Sequence, residues 1–406
     1  MKEVHLFILW EKSRDKEKEI LEDIQRSFHV IGLYNMTWSQ KYFAQNLSRF
    51  YGTNLPPNSY KEEHCGKGDF LLVIVEVENP KYERRQTSKG IQIVNVNMFD
   101  KKEQYREMTG GGHKVHGTNS EVETNHDLTL LLGKNIEDYV KSINREQEVK
   151  IENLKTDLIG AEGFSTVKEM FYILNNCINY AIIRNYETLP EEIYVNEHND
   201  IDIICDSCEN AAYLLNGQKV FQEENRVHYK VKVEEKFAFF DLRYVGDNYY
   251  YYKMETDILK NRVYHEKGFY TISREEYFYA LAYHAILQKP QLAEDYQKRL
   301  ISMNQTNEKV DTKEDLIKIL NKWLMERGYM ITKPIDVTVQ FNLRNAKEFN
   351  SVLIGNDLEK NMKLEMENAM LTEENNQLKE ELRKVMTSKS WKITKPIRDI
   401  MTKIKK

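Results

Sequence analysis

The stretch Asn199-Asp200-Ile201-Asp202-Ile203-Ile204-Cys205 decides the fold of the central part of the chain. Its two carboxylates alternate with apolar residues, which is the pattern of a β-strand with one face toward a core and the other toward a polar cleft. Asp200 and Asp202 are therefore predicted to point the same way. Two carboxylates about 7 Å apart on one strand can hold a hard divalent cation, and their like charges repel without one.

A third acid lies in a second apolar strand pattern, Phe239-Phe240-Asp241-Leu242-Arg243. Asp200, Asp202 and Asp241 together form the predicted metal-binding and catalytic triad. The alternative is that these aspartates merely end strands or cap the helix predicted to begin near Asp206. Arg243 lies two residues beyond Asp241, on the same predicted strand face, where it could bind a phosphate.

The elements around these acids occur in a definite order. A helix pattern over 167–179 and a strand over 180–184 precede the Asp-x-Asp strand; a helix over 211–215 and strands over 227–233 and 236–242 follow it. This order resembles the nucleotidyltransferase superfold typified by polymerase beta. The resemblance implies a mixed sheet with helices over residues 155–345.

Within this superfold, the sequence is most similar to the choline-phosphate and fukutin-type phosphotransferases. That resemblance implies that Asp200 and Asp202 bind Mg²⁺ or Mn²⁺, while Asp241 completes the site or acts as a base toward the acceptor hydroxyl. The Gly-Ser pair usual in the superfold is absent, and residues 196–199 read Asn-Glu-His-Asn instead. This absence argues against ordinary use of a nucleoside triphosphate, and Arg184 is predicted to grip phosphate in place of the pair.

Length and composition describe a chain of several units. The 406 residues are too many for one ordinary core, and the hydrophobic share of 41% with a charged share of 30% is typical of a globular protein. The net charge of −5 argues against a nucleic-acid partner held by the whole surface. No signal peptide or membrane-spanning run is predicted, and the four cysteines are expected to be reduced, so a cytoplasmic location is expected.

Residues 1–148 are predicted to form a small α/β domain, because near-continuous apolar strands alternate with amphipathic helices. The fold class as a whole is predicted to be α/β and α+β. This domain carries a glycine- and histidine-rich loop over 109–119. His113, Lys114 and His116 are predicted to bind substrate there, since three glycines allow close backbone approach to a ligand. The alternative is a solvated surface loop.

Residues 355–387 show a heptad pattern. Leu364, Leu371, Leu378 and Val385 recur every seven residues, with Asn361, Asn368, Asn375 and Leu382 at the other core positions. This pattern predicts a coiled coil that forms a homodimer. The alternative is a single charged helix packed on its own domain.

Residues 388–406 form a basic amphipathic tail, which places Trp391 and several isoleucines among lysines. Such a tail could contact an anionic membrane peripherally, at the inner face. Its Ser-Trp-Lys-Ile-Thr-Lys-Pro stretch is similar to the tail of bacterial glycosyltransferases that make surface polysaccharides.

Three functions follow from these patterns. The first is a metal-dependent transferase that moves a phosphoryl-linked group from a CDP-type nucleotide-activated donor to a glycan acceptor in bacterial cell-surface polysaccharide assembly. The second is a nucleotidyltransferase that acts on a small molecule or a protein. The third is a binding or scaffold protein without turnover.

Overall fold

A computed structural model describes residues 2–88, 90–191, 193, 200–305, 308–355, 370–372 and 374–384. The chain divides into two compact units. Met1–Leu281 and Pro334–Val339 form the first unit, and Ala282–Lys333 and Gln340–Lys406 form the second.

The amino-terminal part of the first unit alternates strands with helices. Its strands are β1 (Lys2–Leu9), β2 (His29–Thr37), β3 (Phe70–Glu78), β4 (Tyr82–Thr87), β5 (Gly90–Asn95), β6 (Val115–Gly117) and β7 (Ile151–Lys155). Its α-helices are α1 (Glu17–Ser27), α2 (Phe43–Tyr51), α3 (Tyr60–Cys65), α4 (Val96–Met108), α5 (Glu121–Leu132) and α6 (Ile136–Ser142), and Glu11–Lys16 forms a 3₁₀ turn. The main sheet has the order β6-β1-β3-β2-β7, and β4 pairs with β5 separately.

The later part of the first unit holds a second sheet. Its strands are β8 (Tyr180–Arg184), β9 (Ile201–Cys205), β10 (Gln218–Lys219), β11 (His228–Val233), β12 (Lys236–Tyr244), β13 (Val263–His265) and β14 (Phe269–Thr271). The helices are α7 (Val167–Cys177), α8 (Cys208–Leu214), α9 (Tyr252–Lys260) and α10 (Arg274–Leu287), the last of which ends in the second unit. The strand order is β10-β11-β12-β9-β8-β14-β13.

Local sequence explains how the helices of the second sheet begin. Thr166 precedes α7 and accepts a hydrogen bond from the backbone N–H of Glu169, and Ser207 caps α8 in the same way through Asn210. Such caps satisfy backbone donors that a helix leaves unpaired at its start. The predicted helix and strands around the Asp-x-Asp stretch therefore lie within a few residues of their predicted positions.

A continuous hydrophobic core joins the two sheets. It contains Leu6 and Ile74 from the first sheet and Ile203 and Leu242 from the second, all with negligible exposure. Each such side chain contributes about 1.5–3 kcal/mol when it is fully buried. Residues from both predicted ranges, 1–148 and 155–345, share this core.

The structure differs from the sequence prediction at the glycine- and histidine-rich stretch. Val115–Gly117 is not part of a surface loop but a buried strand, β6, that pairs with β1. Three glycines with positive φ, Gly110 to Gly112, form the turn that leads into it. A strand this short beside a glycine turn leaves little alternation to detect in the sequence.

The second unit is helical in the residues that the structure describes. It holds α11 (Glu294–Met303), α12 (Lys313–Arg327), α13 (Leu343–Ala346) and a 3₁₀ turn at Ser351–Leu353. Residues 370–372 and 374–384 are also helical, and Leu371, Leu378 and Leu382 on them are exposed. The rest of the predicted coiled coil, 356–369, 373 and 385–387, and the predicted tail, 388–406, lie outside the described residues.

The mixed α/β class is confirmed by these elements. Among the described helices, none is both long and apolar enough to span a bilayer.

Candidate metal and acid site

Three neighbouring strands bring the predicted acids together. β9 and β12 run parallel, with Asp202 opposite Asp241, and β11 runs antiparallel to β12, with His228 opposite Asp241. Side chains at paired positions on adjacent strands lie on the same face of a sheet. Asp200, one residue before β9, lies on that face as well, because it is two residues from Asp202.

His228 lies between two of the carboxylates. Its Nδ1 atom is 3.1 Å from Oδ2 of Asp200 and 3.1 Å from Oδ1 of Asp241. Burial alone would lower the pKa of His228, but the hydrogen bonds to Asp200 and Asp241 raise it to about 9. The imidazole is therefore protonated at neutral pH and acts as the cation that separates two negative charges.

Asp202 has a different partner. Nη2 of Arg184, on the adjacent strand β8, donates to Oδ1 of Asp202 at 2.5 Å, and Nη1 of Arg184 donates to the hydroxyl of Tyr249 at 2.6 Å. Burial raises the pKa of Asp202 to about 6; Arg184 opposes that shift, and the nearby charge of Asp241 adds to it. The pKa of this carboxyl therefore lies closer to neutral pH than that of Asp241.

Arg243 ties the site to a later segment of the first unit. Its Nη2 atom lies 3.2 Å from Oδ2 of Asp241, and its Nη1 atom lies 3.1 Å from Oδ2 of Asp336. Although burial opposes the shift, the hydrogen bond from His228 and the charge of Arg243 lower the pKa of Asp241 to about 2. Asp241 is therefore ionised throughout the neutral range.

The donor set suits a divalent cation. One ligand atom each from Asp200, His228 and Asp241 lie within 4.8 Å of one another. Oδ1 of Asp200 is buried and has no hydrogen-bond partner among the described residues. Two carboxylates and one imidazole form a set that Mn²⁺ accepts readily, whereas Mg²⁺ prefers oxygen ligands throughout.

This set differs from the predicted triad in one member. The sequence predicts Asp202 as a ligand beside Asp200 and Asp241, but its carboxylate is engaged with Arg184, and His228 meets the other two aspartates instead. The reason lies in the sheet order, because β8 and β11 flank the β9–β12 pair on opposite sides. Asp202 therefore pairs with Arg184 on the β8 side, and Asp241 pairs with His228 on the β11 side.

The two predicted phosphate-binding arginines lie inside the site. Arg184 and Arg243 are both buried, and each is paired with a carboxylate of the acid cluster. Nε of Arg243 is buried and has no hydrogen-bond partner among the described residues. In this arrangement both guanidinium groups position aspartates.

The predicted ligand residues of the glycine-rich stretch lie elsewhere in the first unit. The backbone N–H of His113 donates to Nδ1 of His64, and Nζ of Lys114 donates to the carbonyl of Thr109. His116 is buried and bonds to Asp127. Within the described residues, no hydrogen bond or ion pair joins these three side chains to the acid cluster.

Asp127 organises a second histidine cluster. Its Oδ2 atom is 2.8 Å from Nε2 of His116, and its Oδ1 atom is 2.9 Å from Nδ1 of His126. Burial opposes ionisation of Asp127, yet the hydrogen bonds from both histidines lower its pKa. Of the substrate-binding residues predicted from the sequence, His116 belongs to this cluster.

His228 is the main site residue that sequence reasoning missed. The sequence contained enough information to place His228, because the strands predicted over 227–233 and 236–242 leave two residues for the connecting turn. Glu234 and Glu235 form that turn with φ of 48° and 64°, and the hairpin register then places His228 opposite Asp241.

Comparison with known proteins gives no matching family model, no matching curated protein and no matching solved structure. The functional argument therefore rests on the geometry of the site.

Proposed function

We propose that the protein is a metal-dependent transferase that moves a phosphoryl-linked group from a nucleotide-activated, CDP-type donor to a sugar acceptor in cell-surface polysaccharide assembly. The observation that carries this proposal is the convergence of Asp200 and Asp241, from separate strands, on His228. The order of strands and helices around them, which resembles the nucleotidyltransferase superfold, supports the phosphoryl-transfer class.

The cation would be held by Asp200 and Asp241 with His228, and Mn²⁺ fits this donor set better than Mg²⁺. A bound divalent ion supplies charge neutralisation and alignment of the attacking and leaving oxygens in phosphoryl transfer. The protein's own contribution is a fixed scaffold, because Arg243 holds Asp241 and Arg184 holds Asp202.

Asp241 keeps the role that the family resemblance implies for it, which is to complete the metal site or to act as the base toward the acceptor hydroxyl. Its carboxylate meets His228 and Arg243, whereas the carboxylate of Asp202 is buried and engaged by Arg184.

Assembly and location complete the proposal. The exposed leucines at 371, 378 and 382 support pairing of two chains through the predicted coiled coil. The basic tail, as a sequence, supports peripheral contact with an anionic membrane on the cytoplasmic side.

A second candidate is nucleotidyl transfer from a nucleoside triphosphate. The shared superfold pattern favours it, and the absent Gly-Ser pair opposes it. A third is binding without turnover.

Calorimetric titration of the full chain with CDP, CTP and ATP, each with and without Mn²⁺, tests these functions. Metal-dependent preference for CDP supports the proposal, and preference for a triphosphate supports nucleotidyl transfer. Absence of metal-dependent nucleotide binding overturns both enzymatic functions. Mass spectrometry of a reaction with candidate CDP-alcohols and a lipid-linked oligosaccharide then identifies the group that is transferred.

A further inference from the structure

A cavity of about 730 Å³ lies in the first unit, on the other side of β11 from the acid site. Its lining includes Arg49 from α2, Tyr213 from α8, and Tyr229 and Tyr244 from β11 and β12. Tyr229 follows His228 directly in the strand, so their side chains point to opposite faces of the sheet. The cavity is therefore separate from the acid cluster.

Arg49 is one of the residues that line this cavity, and it is 1% exposed. Its Nε atom donates to the carbonyl of Tyr213 at 3.1 Å, and its Nη2 atom donates to the carbonyls of Ile159 at 2.6 Å and Leu214 at 3.0 Å. These bonds tie α2 to the end of α8 and account for two of the three guanidinium nitrogens.

The third nitrogen has no such role. Nη1 of Arg49 is buried and has no hydrogen-bond partner among the described residues, and no described carboxylate forms an ion pair with Arg49. Burial lowers the pKa of Arg49 to about 10. Buried guanidinium groups are normally paired with an anion, because an unpaired buried charge is costly.

The acids that line the cavity, Asp206 and Glu209, lie at exposed positions, and Arg226 is paired with Glu223. Arg49 is the buried cation of the lining. A carboxylate or phosphate ester group would supply the counter-charge that Arg49 lacks among the described residues.

The remaining lining suits a planar organic body. Tyr213, Tyr229 and Tyr244 present aromatic faces or edges, and within the described part of the chain the hydroxyls of Tyr213 and Tyr244 form no hydrogen bond with protein. The cavity volume lies in the range of about 300–1,000 Å³ that is usual for small-molecule sites.

We propose that this cavity binds a small organic anion whose carboxylate or phosphate ester group pairs with Arg49 and whose planar body packs against Tyr213, Tyr229 and Tyr244. The site needs no metal, and it does not depend on the proposed transferase activity. A carboxylate and a phosphate ester offer the same acceptor geometry to a guanidinium, so the experiment must separate them.

Protection of Cys208 tests the proposal on the intact chain. Cys208 lines the cavity and is half-buried, so a bound ligand should shield its thiol from iodoacetamide. Alkylation is followed by peptide mass spectrometry at mildly alkaline pH, because burial raises the pKa of Cys208 to about 11. The probes are benzoate, phenyl phosphate, and benzamide as the neutral isostere of benzoate.

We expect benzoate or phenyl phosphate to slow the alkylation of Cys208 about tenfold at ten times its dissociation constant, and benzamide to leave it unchanged. The anion that protects at lower concentration identifies the preferred group. Equal protection by benzamide, or no protection by either anion, overturns the proposal.

Arg49→Met should abolish the protection, whereas Arg49→Lys, which keeps the charge but loses the planar fork, should retain part of it. Persistent protection in folded Arg49→Met overturns the proposal. If that variant fails to fold, the contrast between benzoate and benzamide on the unmodified chain still decides. Asp241→Asn should bind the anion as the unmodified chain does, which separates this site from the proposed transferase.

Discussion

The first unit contains two histidine–aspartate clusters built from the same residue types in opposite proportions. In one, His228 lies between Asp200 and Asp241; in the other, Asp127 lies between His116 and His126. In the first cluster one carboxyl oxygen, Oδ1 of Asp200, is buried and has no hydrogen-bond partner among the described residues.

The second cluster leaves no oxygen of Asp127 without a hydrogen bond. Both carboxyl oxygens of Asp127 accept from imidazoles, and the carboxylate is almost fully buried. We infer that the proportion of acids to histidines, rather than the residue types, separates a candidate cation site from a structural cluster. A histidine between two acids can exchange its proton for a metal ion, whereas an acid satisfied by two histidines fixes the fold.

The largest difference between the two clusters should appear when an acid is removed from the first cluster. Asp241→Asn should weaken Mn²⁺-dependent nucleotide binding more than about 100-fold and abolish turnover, because one carboxylate cannot hold the ion with His228 alone. Calorimetry with and without Mn²⁺ measures the loss. Asp127→Asn is the matched control and should keep Mn²⁺-dependent nucleotide binding. Equal losses of that binding in the two variants would contradict the proposed difference between the clusters.

The second cluster should respond in stability instead. Asp127→Asn is expected to lower the free energy of unfolding by about 3 kcal/mol, because the imidazoles of His116 and His126 lose a buried, charged acceptor. Urea denaturation measures this change. Asp200→Asn, at a more exposed position, should cost only about 1 kcal/mol. A smaller loss for Asp127→Asn than for Asp200→Asn would contradict a structural role.

The two clusters should also lose their contributions to folding stability at opposite ends of the pH range. The pKa of His228 is raised from 6.5 to about 9, so its stabilisation is fully present below pH 6.5 and is lost as pH rises through about 9. The pKa of Asp127 is lowered, so its contribution is present above about pH 3.8 and is lost as pH falls through the lowered value.

For His228 we expect a loss of about 1–2 kcal/mol between pH 6.5 and pH 9, after allowance for solvent screening. Urea denaturation in a metal chelator at several pH values measures it. His228→Gln should flatten the curve over this interval. An unchanged slope in that variant would assign the pH dependence to another group.

The smallest expected effect separates the contributions of the two histidines in the second cluster. His126→Asn should cost about 1 kcal/mol, because His116 still donates to Asp127. The same denaturation series detects it. A cost as large as that of Asp127→Asn would mean that His116 contributes little by itself.

Local pattern was sufficient to predict the strands and acids of the first cluster. Alternation placed Asp200 and Asp202 on one face, and the apolar run around Asp241 identified its strand. The position of His228 opposite Asp241 could have been predicted from a hairpin with a two-residue turn at Glu234 and Glu235. That turn lacks the usual asparagine or glycine.

Other features had no local signal. The ion pair of Arg184 with Asp202 depends on an antiparallel pairing with an irregular register, which spacing along the chain does not determine. Arg49 bonds to carbonyls more than 100 residues away, so the nitrogen that lacks a partner among the described residues can be recognised only in the folded chain. His116 lies on a three-residue strand after three glycines, where alternation is too short to detect.

The hydrophobic core that runs from the first sheet into the second has a consequence for how the chain can be divided. Leu6 and Ile74 belong to the same apolar cluster as Ile203 and Leu242. A fragment that ends near residue 148 would expose its part of the hydrophobic core to solvent, and so would a fragment that begins there. Such pieces should aggregate rather than fold alone, and heating should melt both sheets in a single cooperative step.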